Sequence, residues 1–172
     1  MISLYTATVP AFRQTIAATR GVLAKGAAFA AEHSIDPATL VDARLAPDML
    51  PLAYQVQSVV THSCRALDGV RAGEFAPYRA AFPTDFAAMD TLLAEAAATL
   101  AAVDPAEIDG LMGRDMVFAI GSRRVPYLAE DFLLSFSLPN VYFHATTAYD
   151  ILRARGVPLG KSDYLGRPRF KA

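Results

Sequence analysis

The residues of this chain best placed to do chemistry lie in one segment, EDFLLSFSLPNVYFHATTAYDILRARG, from Glu130 to Gly156. Its spacing predicts a single long helix. At the helical turn per residue, His144 falls within about 40° of Leu133, Asn140, Ala148 and Ile151, in the middle of the apolar stripe. A histidine and an asparagine aimed at a core must be desolvated. That is unfavourable unless they bond to each other, to a trapped water or to a polar ligand. Imidazole also suits general-base work and binds zinc or nickel, which makes His144 the candidate catalytic or metal-ligating residue. Pro139 removes the bond to the Ser135 carbonyl and is expected to bend the helix one turn before it.

Other reactive side chains carry plainer readings. His62 and His33 read as surface or helix-flank residues, since no HxxxH or HxxE spacing links the three histidines. Cys64 has no lysine or histidine at i±4, so an ordinary thiol is expected. The string GVPLGKS is no phosphate loop: Gly156 and Gly160 enclose three residues where four are needed, and it follows a helix. Tyr142 and Tyr149 read as surface or interface aromatics. Asp42, Arg44 and Asp48 read as a structural ion-pair cluster of little energetic weight. Asp131 and Asp150 qualify as acid–base partners only if the fold brings one beside His144.

The elements that must position these residues follow from composition and period. The chain has 172 residues, 53% hydrophobic and 19% charged, with net charge −1 and one cysteine. That suits a single domain over 1–172, with no basic block for nucleic acid or anionic membranes and no intrachain disulfide. The absence of a signal-like start and of an apolar run of about 20 residues leads to an expected cytoplasmic location.

Four long segments have helical spacing. The first places Val9, Phe12, Ile16, Thr19, Leu23, Gly26 and Ala30 on one seam, with close approach of a neighbour expected at Gly21 and Gly26. A short turn capped by Asp36 follows. The second long helix is expected from Asp48 as cap to Gly73, with Met49, Leu52, Val56, Val59, Ser63, Leu67 and Val70 inward. An aperiodic linker, EFAPYRAAFP, leads to a third helix from Thr84 or Asp85 to about Val103. DPAEIDG signals another short helix. RDMVFAIGSRRVPY then alternates as a hairpin turning at Gly121-Ser122. The tail 157–172 is expected to be extended, packed through Val157, Leu159 and Tyr164.

In this order of elements, RLAPDMLPLAYQVQ and LPNVYFHATTAYDILRARGVPLGKSDYLG resemble the DinB-like four-helix bundles, in an uncharacterised domain-of-unknown-function branch. The resemblance implies an all-α, up-down-down-up four-helix bundle with a small β-hairpin before the last helix, assembled as a homodimer. Several such proteins hold a divalent metal through three histidines, one on the second helix and two on the last, four residues apart. Here His144 matches the second of that last pair, Asn140 stands where the first would be, and Gln55 takes the second-helix position. With those helices antiparallel, as the resemblance implies, Gln55 and His144 lie at similar depth and His62 misses by around 9 Å; were they parallel, His62 would be level instead.

The implied ligand-binding set is therefore Gln55, Asn140 and His144. Two amides and an imidazole are a poor donor set for zinc or nickel but a good one for a water or a polar small molecule. The expected function is a small-ligand-binding or purely structural homodimer with a degenerate metal position. The alternative is a metal-assisted hydrolase or a low-molecular-weight-thiol-dependent transferase, with His144 as base or surviving ligand and Gln55 and Asn140 orienting substrate.

Overall fold

Helices form where apolar residues recur at three and four, and a computed structural model describes them for residues 2–78 and 80–171. α1 spans Leu4–Glu32, its first turn capped by the Ser3 hydroxyl, which accepts from the Thr6 N–H. The predicted seam of α1 is buried throughout, from Val9 to Ala30. Gly26 explains itself: a Cβ there would stand 3.0 Å from Leu152 and 3.2 Å from Phe86. Gly21 does not, because it faces open space and no neighbour approaches it. α2, Pro37–Val41, is capped by Asp36 as expected.

The second long helix comes in three pieces: α3 at Leu52–Val60, a wider π-helical turn at Thr61–Arg65, and α4 at Ala66–Ala72. It starts later than predicted, with Pro51 rather than Asp48 at the cap. The cause is local: a residue preceding proline is driven out of the α region, so Leu50 cannot lie inside a helix begun at Asp48. Arg44 donates to the Met49 carbonyl at 2.6 Å, and among the described residues it forms no ion pair with Asp42 or Asp48. Gly73 ends the helix with φ 77°, a left-handed conformation that glycine adopts without strain.

β1 (Glu74–Phe75) follows immediately and was not expected. It lies parallel to β2 (Asp115–Ile120), with Phe75 opposite Phe118, and β2 pairs antiparallel with β3 (Arg123–Leu128). The hairpin and its Gly121-Ser122 loop are as predicted, and Pro126 is tolerated because β3 is an edge strand. Between them, α5 (Phe86–Ala101) is capped by Asp85 and α6 (Pro105–Asp109) by Asp104.

The last long helix is also interrupted. α7 (Ala129–Asp131) leads into a π-helical turn at Phe132–Ser137 and then α8 (Leu138–Ala154). Widening of the helix ahead of Pro139 is how the chain accommodates the missing N–H. The tail is not simply extended: Val157 and Leu159 are buried, then α9 (Lys161–Leu165) forms. The Asp163 carboxylate accepts from the Gly160 N–H and pairs with Lys25 at 2.7 Å, which seats α9 on α1. Gln55 of α3 meets His144, whereas His62, farther along, meets Phe136 of the earlier π turn, so these two helices run antiparallel. One continuous apolar core runs from Leu4 to Leu159. Among the described residues no helix is long and apolar enough to cross a membrane.

Candidate functional site

Gln55 sits in the first turn of α3, where its amide reaches back to donate to the Leu50 carbonyl at 2.8 Å. That bond fixes which way the carboxamide faces and turns Oε1 toward His144 Nδ1, also at 2.8 Å. An amide oxygen only accepts, so Nδ1 of His144 carries the proton and donates. The neutral ring then keeps its lone pair on Nε2. His144 is buried, and burial lowers its pKa from 6.5 to about 4, so the ring is neutral at neutral pH.

His62 departs from expectation. Its ring stacks on His144 with centroids 5.6 Å apart and planes 11° from parallel. Depth estimated along Cα positions misses this contact. Side chains lean toward the start of their own helix, and for α8 in an antiparallel pair that direction is toward His62. Phe136 meets the His62 ring edge-on at 5.5 Å and Phe75 lies 5.9 Å away. Within that enclosure His62 Nδ1 is buried with no hydrogen-bond partner. A sealed lone pair is less costly than a sealed N–H, so the proton resides on Nε2. Burial, and secondarily the charge that His144 would carry, lower the His62 pKa to about 4.

Asn140 does not complete a triangle with these residues. Its Nδ2 donates to the Phe136 carbonyl one turn back at 2.7 Å, which commits the amide to its own helix and leaves Oδ1 as an acceptor. The three side chains share one cavity wall all the same. A cavity of about 270 Å³ opens between α3, the last helix and the sheet, lined by His62, His144 and Asn140. Phe118 and Ile120 of the hairpin close one side, and Pro77 and Tyr78 of the segment after β1 close another. That segment is tied down at several points. Arg65 stands 3.5 Å over the Tyr78 ring, Gln57 donates to the Ala81 carbonyl at 3.1 Å, and Tyr54 meets Phe82 edge-on at 5.4 Å. A larger depression of about 650 Å³ between α1 and α5 is lined mainly by small apolar residues beside the Arg20–Asp90 pair and holds none of this chemistry.

The remaining candidates fall outside. Asp131 is exposed and Asp150 half-buried, and neither lines the histidine cavity. Cys64 is buried, donates to the Ala96 carbonyl at 3.4 Å, and has its pKa pushed up to about 11 by burial. Tyr142 is exposed, Tyr149 packs edge-on against Tyr164, and His33 is exposed beside Phe29.

The sequence matches the family described as Domain of unknown function (DUF1993) over residues 4–165, nearly its whole length. The chain belongs to the DUF1993 family. Its structure is similar to the crystal structure of a DinB family member protein from Shewanella denitrificans, with a TM-score of 0.82 and 28% identity. That likeness covers 98% of this chain and 95% of the other. No curated protein matches the sequence. This DUF1993 chain is thus DinB-like, in a branch without an assigned activity.

A DinB-like metal centre does not fit the residues of this DUF1993 chain. Two imidazoles, His62 and His144, stand together here, one donor short of a three-histidine centre. Gln55 is committed to Leu50 and His144, and Asn140 to Phe136. Among the described residues, no three His, Cys, Asp or Glu side chains gather as a metal set.

Proposed function

We propose that this DUF1993 protein is a small-molecule-binding bundle whose former metal position has become a neutral, hydrogen-bonding pocket. The observation that carries the reading is the chain Leu50 carbonyl–Gln55–His144, which spends one imidazole nitrogen on the fold and leaves the other to the cavity. A mostly aromatic wall around a few fixed polar atoms is the usual make-up of such a site. Proton-transfer catalysis is less well served, because an imidazole with a pKa of about 4 is a weak base at neutral pH and no carboxylate lines the cavity among the described residues.

The wider reading follows the DinB-like resemblance. The second long helix runs parallel to α5, since Gln57 meets Ala81 just ahead of α5 and Cys64 of the π turn meets Ala96 within it; with the antiparallel α3–α8 pair this supports an up-down-down-up order. The same resemblance supports a homodimer, which sedimentation would test through the mass in solution. The ligand reading is tested by screening small fragments while following the imidazole signals of His62 and His144 by NMR. Fragments that enter should move both sets of signals and raise the melting temperature. A full screen that moves neither ring would mean the cavity is packing space only.

A further inference from the structure

The reading of a ligand pocket can be taken one step further, to the class of ligand, and the step rests on that reading. Three of the polar side chains around the cavity donate to the backbone. Thr61 donates to the Gln57 carbonyl, Gln57 to Ala81 and Asn140 to Phe136. The hydroxyls of Tyr54, Ser58 and Tyr78 also line the cavity, but the two histidine rings are the groups whose donor and acceptor roles the fold fixes. His144 has given its Nδ1 proton to Gln55 and holds a lone pair on Nε2. His62 has its Nδ1 sealed without a partner, which puts its proton on Nε2. Among the described residues no protein group bonds either Nε2, and both rings line the cavity. The two rings, with centroids 5.6 Å apart, thus bring one acceptor and one donor to the same cavity.

We propose that this cavity binds a neutral, planar, lactam-type heterocycle, whose ring N–H is accepted by His144 Nε2 while its adjacent carbonyl accepts from His62 Nε2–H. The chemistry of the walls agrees. Tyr54 meets His144 edge-on, and Phe118 and Phe136 lie 4.9 Å apart, a setting that favours a flat ring. At about 270 Å³ the space suits one ring or a fused pair rather than a drug-sized molecule. Neither imidazole carries a charge at neutral pH, so the pair offers no counter-ion to a carboxylate or phosphate.

The test titrates the full chain at neutral pH with pyridone, N-methylpyridone, toluene and benzoate, reading affinity by calorimetry and the imidazole nitrogens by NMR. Pyridone is expected to bind and to shift Nε2 of both histidines. N-methylpyridone, which lacks the donor, should bind about tenfold more weakly, the loss expected for a site left with an unpaired polar group. His62→Phe should weaken pyridone by a similar factor relative to toluene. If toluene or benzoate binds as tightly as pyridone, the lactam assignment is wrong while the pocket stands. If none of the four enters, both fall.

Discussion

At the scale of residues, Gln55 orients His144 without charging it. A carboxylate in its place would favour the imidazolium, whereas a neutral amide holds the ring and leaves burial to keep it neutral. Gln55→Ala should therefore strand the His144 N–H and cost about 1–3 kcal/mol in urea unfolding. Gln55→Glu should raise the His144 titration midpoint clearly above about 4, seen by NMR as ring protonation at a higher pH. The meeting of Gln55 and His144 was legible once the resemblance picked out Gln55 and set the helices antiparallel, because helical rise then puts both at similar depth. His62 was not, since helical rise locates backbones and says nothing of which way a long side chain leans. Asn140 lines the cavity but does not meet the other two, because a mid-helix asparagine can bond its own preceding turn, and here it does.

At the scale of elements, the helices were readable because each carries several turns of spaced apolar residues. Caps at Asp36, Asp85 and Asp104 were equally plain. What escaped was short or cooperative. β1 is two residues long and exists only because β2 offers it an edge, and α9 is seated by tertiary contacts such as Asp163 with Lys25 and Tyr164 with Tyr149. The two π turns face one another through the His62–Phe136 contact, so both helices loosen beside the cavity. β1 can sit there only because α4 has a glycine: a Cβ on Gly69 would lie 2.8 Å from Phe75 Cβ. Gly69→Ala should push β1 and Phe75 away, costing about 1–3 kcal/mol by chemical unfolding. It should also disturb the His62 ring signals, because Phe75 packs against that ring.

At the scale of the whole molecule, two neutral imidazoles, His144 buried and His62 half-buried, tie stability to pH. In the unfolded chain both rings take a proton as pH falls through 6.5, whereas the folded rings resist until about 4. The unfolded state therefore binds more protons in that window, and stability that is complete above it is lost as pH falls. The loss should reach roughly 3 kcal/mol per ring near the lower bound, visible as a falling urea midpoint. His62→Phe should remove about half of the slope. Exposed pairs such as Arg20–Asp90 contribute little, and only where carboxylates protonate. The most direct test of the whole account is imidazole-nitrogen NMR of the free protein across this range. It should show His144 as the Nδ1–H form and His62 as the Nε2–H form, both neutral well below pH 6.5. A His144 ring protonated at Nε2, or either ring already charged at neutral pH, would contradict it.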